Sequence, residues 1–213
     1  VVLSNNDGCV IARSNEAKAL GIKMGTPAFL VQDLLKQVHV FSSNYSLYGD
    51  MSARVMNIIA NLVMGIEIYS IDEAFVKLNG YSNLESFGHC IRETVKRSTG
   101  IPVSIGIAPS KTLAKVANKI AKKSNGVFWI RDLKPVLQKT AIEDIWGIGR
   151  QYAKFLIKNN IKTAYELTQM PDSWIKKNLT VVGFRMVEEL RGQSCLELES
   201  VRPAKKGICS SRS

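Results

Sequence analysis

The sequence predicts a mixed helix-and-sheet fold, α+β or α/β, followed by an all-helical segment. Three observations lead there. Residues 1 to about 43 mix small residues, turns and short helical stretches. Between residues 44 and about 137, helical apolar spacing alternates with β-rich runs, as expected for helices packed on a sheet. From about 138 to 200 the patterning is helical, with glycine turns and no clear strand.

Taken in order, Val1-Val2-Leu3 reads as the end of a strand, and with no initiator Met the chain reads as a fragment whose start lies upstream. Asn5-Asn6-Asp7-Gly8 is a turn signal. Residues 14–20 predict a helix ended by Gly21. A second helix is expected over 52–64, from the spacing of Val55, Met56, Ile58, Ile59, Leu62 and Val63. Residues 67–78 read as a buried strand with its turn, 84–98 as an amphipathic helix, and 103–107 as a strand. Residues 111–123 predict a helix with Ser110 as N-cap. The stretch from Val201-Arg202-Pro203 reads as a linker into a further domain.

At 213 residues and 46% hydrophobic content the chain can build one large core or two smaller ones. Its 29 Lys and Arg against 18 Asp and Glu leave +11, which favours a polyanionic partner, nucleic acid before an anionic membrane. No apolar run approaches the roughly 18 residues of a membrane span, and no secretory signal pattern opens the chain. Cys9, Cys90, Cys195 and Cys209 lack the close pairing of a zinc site and read as reduced structural thiols of a cytosolic protein.

Four motifs carry chemistry. Asp72-Glu73 interrupts an apolar run, where charge is costly unless paired or metal-bound. Neighbouring side chains on a strand point to opposite faces, so the two converge only where the strand turns, between Ser70 and Ala74. Such a pair can ligate Mg2+ in two-metal phosphoryl transfer, or it can be a solvated strand end. Lys111, Lys115 and Lys119 recur at helical spacing with no acidic residue between Ala108 and Arg131. They read as locally unpaired charges, either facing triphosphate oxygens or forming a solubilising face. Ile145-Trp146-Gly147-Ile148-Gly149-Arg150 fits a helix-hairpin-helix turn, or a plain helical turn. In the first reading Gly147 and Gly149 admit a phosphate to the helix start, and Arg150, Lys154 and Lys158 flank the DNA backbone. Asn15-Glu16-Ala17-Lys18-Ala19-Leu20-Gly21 is by itself a short helix and turn.

In this order the blocks N-N-D-G-C-V-I-A-R, N-E-A-K-A-L-G-I-K-M-G, F-S-S-N-Y-S-L-Y, Y-S-I-D-E-A-F, G-I-A-P-S-K-T-L-A-K-V-A-N and D-I-W-G-I-G-R resemble the Y-family of translesion DNA polymerases, in its UmuC branch. The resemblance implies an α+β right-hand polymerase without proofreading. Its α/β fingers would be residues 1–43, its α+β palm with a mixed sheet 44–137, its helix-hairpin-helix thumb 138–200, and the start of a little finger 201–213. It implies that Asp72 and Glu73 are catalytic and hold metal, two Mg2+ ions with a third carboxylate upstream of Val1. Asp72 would bridge both ions and Glu73 would sit nearest the primer 3′-hydroxyl. Ile11 and Ala12 would roof the nascent base pair, and Asn15, Lys18 and Lys111 would contact the triphosphate. Many members carry Tyr at the position of Asn15 and Arg at that of Lys18; a lysine gives a point charge in place of a planar fork. Lys115, Gly147, Gly149, Arg150 and Lys154 would face DNA. The expected function is error-prone translesion synthesis in the bacterial SOS response, with little activity in the fragment alone. The expected partners are primer-template DNA, dNTP, a UmuD′-type subunit, RecA and the sliding clamp, in the cytoplasm at the nucleoid and without a membrane. A non-catalytic DNA-binding or assembly module is the rival. A repair nuclease or glycosylase fits the fingers-like segment less well.

Overall fold

A computed structural model describes residues 1–199. The linker and little-finger start expected at 201–213, and Cys209, lie outside the described residues. Two compact units divide at Arg54 and Val55.

In the first unit, β1 (Val2–Leu3) pairs antiparallel with β2 (Val10–Ala12) and parallel with β3 (Phe41–Ser42), a mixed sheet. The β1–β2 turn is the expected one, with the Ser4 hydroxyl taking the amides of Gly8 and Cys9, each at 3.1 Å. Next comes α1 (Asn15–Ala19), capped by Ser14, which accepts the Ala17 amide at 3.3 Å. It ends at Gly21, whose φ of 83° suits glycine. Leu3, Val10, Ala17 and Ile22 form the core, and α2 (Gln32–Leu35) adds Leu34 and Leu35. Then α3 (Tyr45–Ala60) crosses the division between the units. It starts at Tyr45, ahead of the expected Ser52, because the Asn44 side chain accepts the Leu47 amide at 3.0 Å.

In the second unit, β4 (Ile66–Ile68) and β5 (Ala74–Val76) form an antiparallel hairpin with Glu67 opposite Phe75. Next, α4 (Leu84–Thr99) buries Ile91 and Val95. A crossover follows: β6 (Ile105–Ile107), α5 (Lys111–Ala121), then β7 (Val127–Trp129) parallel to β6. The short strand β7 was not expected, since three apolar residues carry no periodicity. A Cβ on Gly106 would lie 2.1 Å from the Asn118 amide nitrogen, so α5 packs directly on the strand backbone there.

The remaining chain is helical, as expected: α6 (Leu133–Lys139), a 3₁₀ turn at Ile142–Asp144, α7 (Arg150–Lys158), α8 (Ala164–Thr168) and α9 (Asp172–Leu190), which bends at Thr180. One apolar cluster runs from Leu113, Val116 and Ala117 of α5 through Leu137, Ile145 and Leu156 to Ile175 and Leu190, passing through the expected 137/138 boundary without a break. Cys9, Cys90 and Cys195 are free thiols. No helix among the described residues is long and apolar enough to cross a membrane.

Glu189 fixes how α5 begins. It is fully buried, and its carboxylate accepts the Thr112 amide at 2.8 Å, the Cys195 amide at 2.9 Å and the Leu196 amide at 3.1 Å. Ser110 caps α5 and donates its hydroxyl to the Glu189 carbonyl at 2.8 Å. A carboxylate at a helix N-terminus also meets the positive end of the helix dipole. Glu189→Ala should therefore lower unfolding free energy by about 3 kcal/mol in urea titration, because three amides lose their acceptor. A loss below about 1 kcal/mol would mean that water satisfies them.

Glu166 closes a capping box on α8, and the backbone amides of Lys162 and Thr163 hold its carboxyl below the usual carboxylate range. Its contribution to stability is present above the ordinary carboxylate pKa and lost as pH falls through the lowered one. Glu166→Gln should flatten the acid limb of Tm against pH; an unchanged limb would deny the box its charge dependence.

Candidate active site

The β4–β5 connection, residues 69–73, is closed by Tyr69 and Ser70, whose amides each donate to the Glu73 carbonyl at 3.0 Å. Asp72 stands exposed in this turn and accepts the Ser70 hydroxyl at 2.7 Å. The segment is less buried than its apolar character suggests. Ile68, Tyr69 and Ile71 are exposed, while Glu67 between Ile66 and Ile68 points inward, only 9% exposed.

The inward face of the hairpin meets α5. Lys115 donates to both carboxylate oxygens of Glu73 at 2.6 Å. Lys111 donates to Glu67 at 2.5 Å and to the Glu197 carbonyl at 2.7 Å, and the Glu199 amide also donates to Glu67, at 2.7 Å. Lys119 pairs with Asp144. The lysines find no partner within their own stretch of sequence, as expected, yet none of the three is without one. Their partners come from distant segments, 44 residues away for Lys111 and 42 for Lys115, beyond any local charge pattern. The solubilising-face alternative fails for the first two: side-chain exposure is 10% at Lys111 and 23% at Lys115, rising to 45% at Lys119.

Aromatic rings wall the Lys115–Glu73 pair. The ammonium lies 5.5 Å from the Tyr69 ring centre and 5.8 Å from that of Trp146. Tyr69 meets Trp146 edge-on at 5.5 Å, and Phe75 packs against both. Charge beside aromatic faces and away from bulk water interacts more strongly than on an open surface.

Asp72 and Glu73 offer the hard oxygens that Mg2+ prefers. The donor count falls short, however. Among the described residues no three His, Cys, Asp or Glu side chains group closely enough to hold an ion, and both Glu73 oxygens are taken by Lys115. The described residues supply part of a two-ion donor set and do not complete it.

The expected nucleotide contacts fall into two groups. In the first unit Ile11 and Ala12 are exposed on β2 while Val10 is buried, and on α1 the Lys18 ammonium donates to Asn15 at 3.2 Å. In the second unit Asp72, Glu73, Lys111 and Lys115 gather around the hairpin and α5. At the proposed DNA-facing turn, Ile145 and Ile148 are buried anchors and Gly147 has φ 93°. Gly149 caps α7, and Gly149, Arg150 and Lys154 are exposed. The space around Gly149 would admit a Cβ, so the fold itself does not demand glycine there.

Sequence reading missed Glu67, Tyr69, Trp146 and Glu189 as parts of this arrangement. For Glu67 a signal existed, since a charge inside an apolar strand is the same anomaly that singled out Asp72-Glu73. For Glu189 none did, because Glu188-Glu189 lies on a helix where acids are ordinary.

Comparison with known proteins follows the same lines. The model of the impB/mucB/samB family matches residues 1–119. The chain is 47% identical over 227 aligned residues to Protein ImpB of Salmonella typhimurium, covering all of this chain and 53% of that protein. To Protein UmuC of Salmonella typhimurium it is 48% identical over 225, with the same coverage. It thus spans about half the length of the curated relatives it matches. Among solved structures, DinB from Sulfolobus solfataricus superposes with a TM-score of 0.81 at 24% identity, over 94% of this chain and 61% of that one. That likeness shows the shared α+β fold. Sequence and fold agree: the chain belongs to the impB/mucB/samB family.

Proposed function

We propose that the full-length protein is an error-prone translesion DNA polymerase of the SOS response, transferring dNMP to a primer 3′-end without proofreading. The observation that carries this reading is Glu73 in the hairpin turn, gripped by Lys115 beside Asp72. Nucleotidyl transfer needs carboxylates for cations and a fixed positive charge for the polyphosphate, side by side. Family membership supports the rest.

In this reading residues 1–43 are fingers, 44–137 palm and 138–200 thumb. Ile11 and Ala12 cover the base pair, and Asn15 and Lys18 meet the triphosphate. Y-family polymerases generally need divalent metal ions; the ions proposed here are two Mg2+, which Asp72 and Glu73 hold together with a further carboxylate. They would lower the charge cost of attack by the 3′-hydroxyl and of pyrophosphate departure. The proposed triphosphate contact moves from Lys111 to Lys115. Glu67 and the Glu197 carbonyl engage Lys111, whereas Lys115 stands on Glu73, so Lys115 is the lysine proposed for the triphosphate. Gly147, Gly149, Arg150 and Lys154 hold the DNA backbone. A UmuD′-type subunit, RecA and the sliding clamp are proposed partners, and the cytoplasmic nucleoid the location.

Asp72→Asn in the full-length protein should reduce primer extension by about 10³-fold while leaving primer-template affinity unchanged. Retained extension would make the chain a DNA-binding module and end the enzyme reading. Arg150→Ala should weaken DNA binding equally across sequences and lower the slope of log affinity against log salt by about 1. An unchanged slope would remove Arg150 from the DNA backbone.

A further inference from the structure

Trp146 stands immediately before Gly147 of the hairpin turn, yet its ring faces the carboxylate site. Its centre lies 5.8 Å from the Lys115 ammonium, 5.5 Å from Tyr69 and 5.9 Å from Phe75. Glu73 bounds the same ammonium with two oxygens at 2.6 Å. A lysine side chain has four rotatable carbons and does not hold one position unaided. Here the rings of Tyr69 and Trp146 and the carboxylate of Glu73 confine it. An ammonium has three N–H donors; Glu73 takes two, which leaves one for an anionic ligand.

Resting on the polymerase reading above, we propose that Trp146, with Tyr69, is a positioning residue that holds the Lys115 ammonium for the polyphosphate of the incoming nucleotide. Trp146 does not touch the nucleotide. It also ties the turn proposed to grip DNA to the lysine that meets the nucleotide, through one peptide bond.

The contrast with Lys111 sharpens this. That ammonium also has an aromatic neighbour, Phe75 at 5.2 Å, but Glu67 and the Glu197 carbonyl both accept from it and its side chain is only 10% exposed. Of the two, Lys115 is the one that combines a restraining cage with partial exposure.

The test uses the full-length protein. Trp146→Leu keeps an apolar side chain without a π face, and Trp146→Phe restores the face. The leucine variant should raise KM for dNTP by about five- to tenfold, with kcat within about threefold and primer-template Kd unchanged. The phenylalanine variant should recover most of the loss. An unchanged KM in Trp146→Leu, with or without a lower Tm, would overturn the proposal, as would a KM that Trp146→Phe fails to restore. A rise in primer-template Kd that accounts for the effect would overturn it too, by placing Trp146 in DNA binding. Wild-type protein that extends no primer would overturn the polymerase reading itself and this inference with it.

Discussion

A buried carboxylate that forms no ion pair among the described residues governs the second unit. Glu189 satisfies amides at the start of α5 and in the segment after α9, so two stretches far apart in sequence share one acceptor. Removing an acceptor from such a place leaves desolvated donors, which is why it behaves as a constraint and not a contribution. With its first turn fixed, α5 lies over Gly106 with Leu113, Val116 and Ala117 in the core. The opposite face then presents Lys111, Lys115 and Lys119 at single-turn steps, the first two meeting acids of the β4–β5 hairpin and the third Asp144.

These pairs differ in kind along the helix. Lys111–Glu67 is nearly closed to solvent, and its cost of desolvation is offset by further hydrogen bonds from the Glu199 amide and to the Glu197 carbonyl. It fastens the segment leaving α9 to β4. Lys119–Asp144 is open, where an ion pair contributes little. Lys115–Glu73 lies between these limits, restrained by rings yet partly exposed. Restraint with remaining access is what a binding charge requires, since an ordered group loses less entropy on meeting its ligand.

Much of this is legible in the sequence itself. The helical periods of α4, α5 and α7, the Ser110 cap, and the turn after β4 all follow from local chemistry, and local chemistry is what sequence displays. Asp72-Glu73 stood out because charge interrupts an apolar run. The pairing of the lysines did not show, because Glu67, Glu73 and Asp144 reach α5 only through tertiary packing. The start of α3 was missed because the stretch from Tyr45 to Asp50 buries little, and its helix rests on the Asn44 cap. Glu67 interrupts the apolar strand as visibly, but its inward direction did not show, because the usual alternation is reversed, with the acid inside and Ile68 outside.

The central claim concerns which acid on the hairpin reacts and which only holds the fold. Glu67 and Glu73 sit on one hairpin, pair with lysines one turn apart, and differ in access. Single-turnover incorporation of one dNTP by full-length protein separates them. If Glu73 belongs to the reacting site, Glu73→Gln lowers the incorporation rate by about 10²-fold or more at unchanged DNA affinity. Glu67→Gln then lowers the melting temperature while its rate stays within a few-fold of wild type. Equal rates in the two variants, or a greater loss with Glu67→Gln, would contradict the assignment.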